Sequence, residues 1–138
     1  MRYAIQAPSI FDGENFIEYH SVVIENGLIN SIVPTHDLPH GLSKKILTQG
    51  ILAPGFIDIQ VNGGGSVMLN TDPTRERVDT MVAAHRATGT TAMMPTLISD
   101  TPQKQRACVR AVRAAQSAGN RGILGVHIEG PYFDLEKR

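Results

Sequence analysis

The stretch GILAPGFIDIQVNGGG, residues 50–65, decides the fold of this chain. Its centre, residues 56–61, is a short apolar run with a proline–glycine pair before it and three glycines after it. Such a run predicts a buried strand rather than a helix. Because side chains alternate along a strand, the polar residues Asp58, Gln60 and Asn62 share one face. Buried polar groups need partners, so this face predicts either a ligand site or a hydrogen-bonded structural network.

Composition excludes several classes of protein. The 138 residues carry 13 Lys and Arg against 13 Asp and Glu, and no basic stretch suggests binding to nucleic acid or to a membrane surface. No apolar run approaches the ~20 residues that a membrane helix needs. Cys108 is the only cysteine, which excludes an internal disulfide and favours a cytoplasmic location. Cys108 falls in an apolar helical pattern, which predicts a small buried side chain rather than a nucleophile.

The first 53 residues predict a small β-rich unit. Asn26-Gly27 separates two apolar runs, and this dipeptide is the strongest short signal for a β-hairpin. Residues 34–43 are rich in proline, glycine and polar residues, which predicts a loop, and further short strands are predicted at residues 46–47 and 51–52. The unit contains few apolar residues, so its core is thin for independent folding.

After residue 53 the pattern predicts strand, helix, strand, helix, strand. The first helix is predicted to begin at Asp72-Pro73 and to end at Gly89, with a buried face formed by Val78, Met81, Val82 and His85. A strand over 90–97 with Pro95 near its end, a helix from Thr101-Pro102 to Gly119 and a strand over 123–128 follow. This βαβαβ spacing predicts parallel strands with right-handed crossovers.

Polar side chains gather where the predicted strands end, and this end of a parallel sheet is where functional sites form. The sets are Gln60 with Asn62, Thr96, and His127 with Glu129. Glutamate is rarely buried alone, so Glu129 is predicted to be either a metal ligand or acid–base group, or a carboxylate that caps a loop. A single strand histidine such as His127 is more often a hydrogen-bonded packing residue.

The glycines of residues 63–65 predict a tight turn. Their backbone amides could also approach a phosphate, but the Walker lysine and the GxGxxG spacing are both missing. His85 is predicted to pack against the sheet from its helix.

Several of these segments resemble a known family. Residues 22–29, VVIENGLI, and 53–58, APGFID, resemble the opening of the amidohydrolase superfamily. Residues 60–63, QVNG, 95–97, PTL, and 125–131, GVHIEGP, are together similar to the N-acetylglucosamine-6-phosphate deacetylase family of that superfamily. The resemblance covers essentially the whole chain.

This resemblance implies a fold and a domain division. The family is α/β, with a metal-dependent (β/α)8 TIM-type barrel beside a small β-sandwich. The chain is accordingly expected to contain the N-terminal part of the sandwich, residues 1–53, and then a partial barrel of about three βα units, residues 54–138. On this view the 138 residues are an N-terminal portion and an inactive fragment.

The resemblance also implies the chemistry, which is hydrolysis of the acetamide of N-acetylglucosamine 6-phosphate to glucosamine 6-phosphate and acetate. It implies one divalent metal ion, zinc or similar, in the complete enzyme, with Glu129 as a ligand. Gln60 and Asn62 stand where the wider superfamily has a histidine pair, and amides are poor ligands for zinc-like ions. They and His127 are therefore expected to be neighbours of a single-metal site. The catalytic aspartate is expected outside this chain, and the fragment is not expected to hold the metal.

The expected partner is a small amino-sugar phosphate, without nucleic acid or membrane, and the complete enzyme is expected to be a homo-oligomer. Two alternatives stay open. One is another amidohydrolase, such as a dihydroorotase-like enzyme, because the superfamily opening is shared. The other is a non-enzymatic residual fragment.

Overall fold

Strands dominate the first 54 residues, and strands alternate with helices after them. The computed structural model describes residues 1–130 and residue 136. The chain divides into two compact units, Met1–Pro54 and Gly55–Arg138. It is a mixed α/β chain with several sheets. Pro131, the last residue of the GVHIEGP motif, lies outside the described residues.

The first unit consists of short strands arranged in two sheets. The strands are β1 (Arg2–Gln6), β2 (Ser9–Phe11), β3 (Phe16–Glu18), β4 (His20–Glu25), β5 (Leu28–Pro34), β6 (Lys44–Ile46) and β7 (Ile51–Leu52). One sheet has the order β5-β4-β1-β6 and the other has the order β3-β2-β7. Two small apolar clusters form its core, one around Val23 and one around Ile10. The thin core agrees with the few apolar residues of this part of the sequence.

The predicted hairpin at Asn26-Gly27 is confirmed. β4 and β5 pair in antiparallel fashion, and Glu25 lies opposite Leu28. Both turn residues have positive φ, 52° for Asn26 and 82° for Gly27, which is the conformation that a two-residue hairpin loop requires. The predicted loop over 34–43 starts one residue later, because Pro34 still belongs to β5, and it contains a 3-10 turn over Thr35–Asp37.

The second unit contains the predicted βαβαβ succession, which is confirmed. Its elements are β8 (Phe56–Val61), β9 (Gly63–Gly64), β10 (Val67–Met68), α1 (Arg75–Arg86), β11 (Thr90–Ile98), α2 (Pro102–Ser117) and β12 (His127–Glu129). The three main strands are parallel, in the order β12-β11-β8. Strands that follow one another in the chain are therefore neighbours in this sheet.

Both helices cover the same face of the parallel sheet. The residues of this core are Val61, Met93, Leu97 and Ile123 from the sheet side, Val78, Met81 and Val82 from α1, and Cys108, Ala111, Val112 and Ala115 from α2, with Leu69. Cys108 is fully buried as predicted, and burial raises the pKa of its thiol to about 11. The thiol therefore stays protonated at neutral pH, which is unlike a nucleophilic cysteine.

The start of α1 differs from the prediction. Its N-cap is Thr74, whose hydroxyl accepts a hydrogen bond from the Arg77 backbone N–H at 3.4 Å. Asp72 lies outside the helix and accepts a hydrogen bond from Arg77 Nε at 3.1 Å. α1 ends at Arg86, and Gly89 lies three residues beyond that end.

The start of α2 confirms its prediction. Thr101 is the N-cap of this helix, and its hydroxyl accepts a hydrogen bond from the Lys104 backbone N–H at 3.3 Å. Pro102 occupies the first helical turn, where its missing N–H costs nothing. The helix ends at Ser117, shortly before the predicted Gly119.

The third predicted strand is shorter than expected. β12 covers only His127–Glu129, and Ile123 forms an isolated bridge with Met93. Between those two pairings lies Pro95, which falls inside β11 rather than at its end. Proline has no backbone N–H to donate, so the ladder between β11 and the third segment is interrupted there.

The burial predicted for β8 is wrong, although its bounds are as predicted. Phe56, Ile57 and Ile59 are 70%, 65% and 67% exposed, and Val61 is the one buried residue of the strand. β8 is an edge strand of the parallel sheet, with a neighbour only on the β11 side among the described residues. An edge position leaves its apolar side chains uncovered.

Candidate functional site at the carboxyl ends of the parallel strands

Gln60 and Glu129 meet although they lie far apart in the sequence. Gln60 Nε2 donates a hydrogen bond to Glu129 Oε2 at 3.1 Å, across a separation of 69 residues. Gln60 belongs to β8 and Glu129 to β12, and both strands flank β11. The bond therefore spans the width of the sheet on the face that the helices do not cover. It occupies one carboxylate oxygen of Glu129.

A local irregularity in β8 lies beside Gln60. Three steps along β8, from Asp58 to Val61, match only two steps along β11, from Met93 to Pro95. Such bulges re-aim side chains and are frequent next to functional sites. Asp58 also accepts a hydrogen bond from the Gln60 backbone N–H at 3.0 Å. A side chain of the same strand thus fixes the backbone that carries the Gln60 side-chain amide.

Thr96 is a structural link at this site. Its side chain is fully buried, its Oγ1 accepts a hydrogen bond from the Val61 N–H at 2.9 Å, and the same hydroxyl donates to the Met94 carbonyl at 3.1 Å. The hydroxyl thus satisfies a backbone donor at the β8 irregularity. Thr96 was expected at this end of the sheet, and its role in the structure is to join β8 and β11.

The backbone of Glu129 is fixed by β11. Glu129 is paired with Ile98 in the parallel register, and Ser99 Oγ donates a hydrogen bond to the Glu129 carbonyl at 2.9 Å. Sequence reasoning missed Ser99. Its only signal is a hydroxyl residue directly after an apolar strand, and that signal is common in loops.

Two buried polar atoms at this end of the sheet have no hydrogen-bond partner among the described residues. They are Asn62 Oδ1 and His127 Nδ1. His127 pairs with Thr96, two residues before Glu129 on the same strand, so His127 and Glu129 share a face. An unpartnered buried polar group costs about 1–3 kcal/mol. A bound ligand, ion or water that satisfied these atoms would recover that cost. For His127, predicted to be a hydrogen-bonded packing residue, Nδ1 has no such partner among the described residues.

The three glycines after β8 form the predicted tight turn. Gly63 and Gly64 pair with β10 in a small hairpin, and His85 Nε2 lies 2.9 Å from the Gly63 carbonyl oxygen. A Cβ on Gly64 would lie 2.7 Å from the same ring nitrogen. The glycines thus permit close packing against α1. His85 was predicted to pack against the parallel sheet, and in the structure its ring contacts this hairpin.

The Asn70 side chain forms hydrogen bonds with the carboxyl end of β11. Its Oδ1 accepts from the Ile98 N–H at 3.1 Å, and its Nδ2 donates to the Ile98 carbonyl at 2.9 Å and to Asp100 Oδ2 at 3.1 Å. Lys104 Nζ donates to the Asn70 carbonyl and lies 3.5 Å from Asp100. The backbone N–H of Thr101, the Asn70 amide and the Lys104 charge lower the pKa of Asp100. Sequence reasoning missed this cluster.

The described residues offer few metal ligands. In residues 1–130 and 136 there is no group of three or more His, Cys, Asp or Glu side chains that could hold a metal ion. Glu129 Oε1 and the His127 nitrogen are atoms of the types that zinc-like ions accept, whereas an amide oxygen such as that of Asn62 is a poor ligand for them. Glu129 and His127 are therefore residues that could contribute to a metal site, and the described residues alone do not complete one. In the same described part, no helix is long and apolar enough to cross a membrane.

Comparison with known sequences finds one domain family and several relatives. Residues 2–51 match the model of the NagA composite domain. Over 130 residues the chain is 41% identical to an N-acetylgalactosamine-6-phosphate deacetylase of Shewanella sp., which covers 90% of this chain and 32% of that protein. Over 138 residues it is 30% identical to an N-acetylglucosamine-6-phosphate deacetylase of Haemophilus influenzae, which covers all of this chain and 36% of that protein.

Comparison with solved structures finds deacetylases of the same kind. The chain is similar to N-acetylglucosamine-6-phosphate deacetylase from Pasteurella multocida, with a TM-score of 0.91, 31% identity, and coverage of 99% of this chain and 36% of that one. A deacetylase of the same name from Mycobacterium smegmatis has a TM-score of 0.81 at 23% identity, which shows the likeness of fold alone. The chain spans about a third of the length of the relatives it matches.

Proposed function

The chain matches an N-terminal portion of the N-acetylglucosamine-6-phosphate deacetylases, and we propose that the whole protein is such a hydrolase. Its reaction converts N-acetylglucosamine 6-phosphate to glucosamine 6-phosphate and acetate. The observation that carries the proposal is the hydrogen bond from Gln60 to Glu129, because it lies at the carboxyl ends of parallel strands on the two motifs that resemble the family. A cytoplasmic location and a homo-oligomeric state of the complete protein stay predictions.

Glu129 is the proposed metal ligand of this chain. Gln60 donates to Oε2, and Oε1 has no such bond from Gln60, so we propose that a cation would bind through Oε1. A single divalent ion, zinc or similar, would polarise the acetamide carbonyl and activate a water molecule. Asn62 and His127, each with an unpartnered buried atom, would line the site. No catalytic residue is assigned within these residues, because the family's aspartate is expected elsewhere.

The order of the strands supports a barrel. In the parallel sheet of the second unit, β11 lies beside β8 and β12 lies beside β11, in the order in which these three strands occur in the chain, and both helices cover one face. A (β/α)8 barrel grows in this way, whereas a doubly wound sheet reverses its strand order. We therefore interpret residues 54–138 as about three βα units of a TIM-type barrel, and residues 1–53 as part of a small β-sandwich.

A second substrate is favoured by one observation. The relative with 41% identity is named an N-acetylgalactosamine-6-phosphate deacetylase, and the relative with 30% identity acts, by its name, on the glucosamine derivative. The two sugars differ in configuration at C4 and carry the same acetamide and phosphate. N-acetylgalactosamine 6-phosphate is therefore the second candidate substrate. The proposed roles of Glu129 and Gln60 would be the same for either sugar.

The test places these residues in a protein of full length. A chimera would carry residues 1–130 in place of the matching third of the Pasteurella multocida deacetylase, and acetate release from both sugars would be measured together with bound metal. We expect turnover by the chimera. Glu129→Gln should lower turnover at least about a hundredfold and lower the metal content, because a ligand is lost.

Glu76→Gln is the matched control, since Glu76 is an exposed residue of α1 and its loss should leave both quantities unchanged. A chimera that turns over equally well with Glu129→Gln would refute the assignment of Glu129. A folded chimera that releases acetate from neither sugar would favour the residual-fragment alternative.

A further inference from the structure

A groove rich in arginine lies at the end of the parallel sheet where β11 and β12 begin. It is an open groove of about 510 Å³ between α1 and residues 118–121, which follow α2. Arg75, Arg86 and Arg121 line it together with Asp79 and Asn120. Gln60 and Glu129 lie at the other end of the same strands, so the groove uses none of the residues of the proposed metal site.

Asp79 is the one carboxylate among the described residues that line the groove, and it already has hydrogen-bond partners. Asp79 Oδ2 accepts from Arg75 Nε at 3.2 Å, and Asp79 Oδ1 accepts from Asn120 Nδ2 at 2.7 Å. Asn120 is fixed in turn, because its Oδ1 accepts from the Gly122 N–H at 3.1 Å. Both oxygens of Asp79 therefore have partners, and no hydrogen bond or ion pair joins Asp79 to Arg86 or Arg121 among the described residues.

Arg86 and Arg121 supply charge that nothing in the described part of the chain neutralises. Both are exposed, and neither has an ion pair or a hydrogen bond from its side chain among residues 1–130 and 136. The guanidinium of Arg86 lies against Gly122, since a Cβ there would be 2.9 Å from Arg86 Nη2. It is therefore next to the residue that follows Arg121 in the chain.

Helix capping explains only part of this arrangement. Arg86 stands in the last turn of α1, where a positive charge is favourable beside the free carbonyl groups. Arg121 belongs to no helix, so a favourable interaction with a helix end does not explain why it lies in the groove. Three arginines against one aspartate leave a formal surplus of two positive charges around the groove. Like charges held close together repel, and a bound anion would relieve that repulsion.

We propose that this groove binds a phosphate monoester dianion. Guanidinium groups present paired N–H donors that match phosphate oxygens, and two unpaired guanidinium groups match a charge of two. The volume falls within the range of small-molecule sites, so the ester could carry a group as large as a sugar. The inference does not depend on the proposed deacetylase activity.

The test titrates the 138-residue chain with inorganic phosphate and, separately, with glucose 6-phosphate, and follows the amide NMR signals. We expect the signals of residues 119–122 to shift with saturation. Arg86→Gln and Arg121→Gln should each weaken the affinity at least about tenfold. Arg113→Gln is the matched control, because Arg113 is exposed on α2 and does not line the groove. It should bind as the parent chain does.

Asp79→Asn gives a second variant with the opposite expectation. It removes the only negative charge among the described residues that line the groove and releases Arg75, so phosphate should bind more tightly. A variant that merely disturbed the local fold would bind more weakly. The proposal is overturned if neither inorganic phosphate nor glucose 6-phosphate shifts signals in residues 119–122, if Arg121→Gln binds as well as the parent, or if Arg113→Gln weakens binding equally. Saturation by only one of the two probes would support the proposal and would show whether the groove binds free phosphate or a sugar phosphate ester.

Discussion

At the scale of single residues, Glu129 is held from two directions. Ser99 donates to its backbone carbonyl and Gln60 donates to its carboxylate, so its backbone is held from the β11 side and its side chain from β8. A side chain that is oriented before a ligand arrives binds that ligand with a smaller loss of conformational entropy. Gln60 is therefore a positioning residue in the proposed metal site.

Removal of the Gln60 amide should weaken metal binding. In the full-length chimera, we expect Gln60→Leu to lower metal affinity by roughly 10- to 100-fold, which is the usual effect of losing a group that orients a ligand. The measurement is a competition titration with a chromophoric chelator. Gln103→Leu, an exposed change on α2, is the control. Equal metal affinity of Gln60→Leu and the parent chimera would show that the bond to Glu129 does not position it.

Asp100 should make stability depend on pH. The Thr101 N–H, the Asn70 amide and Lys104 lower its pKa below 3.8, so the native state holds the carboxylate charged where the unfolded state begins to protonate. The stabilisation is present above pH 3.8 and is lost as the pH falls through the native pKa. Asp100→Asn should therefore unfold at lower urea concentration than the parent at neutral pH, and the difference should vanish in acid.

The matched control for this series is Asp12→Asn. The pKa of Asp12 is also lowered, by the N–H groups of Asn15 and Glu14, but Asp12 lies in a hairpin of the first unit. Its effect should have the same pH dependence and should not require Lys104. A stability difference for Asp100→Asn that persists in acid would mean that charge is not the cause.

At the scale of elements, the hairpin β9–β10 is positioned by its contact with α1. A side chain on Gly64 would collide with the His85 ring, which is itself bonded to the Gly63 carbonyl oxygen. The ring cannot move aside without losing that bond. The hairpin leads from Asn62 toward Asn70, so a displaced hairpin would shift residues at the carboxyl ends of both β8 and β11.

We expect Gly64→Ala to destabilise the chain by about 1–3 kcal/mol, from overpacking and a lost hydrogen bond. Gly125→Ala is the control, because a Cβ at Gly125 would lie 3.7 Å from Met94 Cε, an ordinary contact. Urea unfolding followed by far-UV circular dichroism measures both. Equal unfolding midpoints for the two variants would show that α1 yields to the extra methyl group.

At the scale of the whole molecule, the uncovered edge of β8 is the feature of the second unit that most favours association between chains. Three large apolar side chains are exposed on it, and its outer backbone edge has no strand beside it among the described residues. Exposed edges with apolar side chains promote pairing between chains. The relatives are about three times longer, and a longer chain has further elements that could cover this edge.

We expect the 138-residue chain to self-associate, and Ile57→Lys with Ile59→Lys to shift it toward the monomer. Charged residues on an edge strand oppose pairing between chains. Leu124→Lys is the control, since Leu124 is exposed in a loop and not on the sheet edge. Sedimentation velocity across a concentration series gives the size distribution. A parent chain that is monomeric throughout would contradict the prediction.

The sequence by itself determined the features that depend on neighbouring residues. Asn26-Gly27 specifies its hairpin because both residues tolerate positive φ, and Thr101-Pro102 specifies the start of α2 through a hydroxyl cap and a fixed φ. Periodicity gave the alternation of strands and helices, and the motifs around Gln60 and Glu129 gave the likeness to the deacetylases.

Only the tertiary structure decided which distant groups meet. The bond between Gln60 and Glu129 crosses 69 residues, and it depends on the register of β11 with two strands and on an irregularity in β8 that no local pattern encodes. The side chains of Ser99 and Asn70 bond mainly to backbone groups of distant residues, and every residue offers such groups, so the sequence carries little signal for these contacts. The exposure of Ile57 and Ile59 followed from the place of β8 at the sheet edge, because burial depends on which strands are neighbours and not on the composition of the strand.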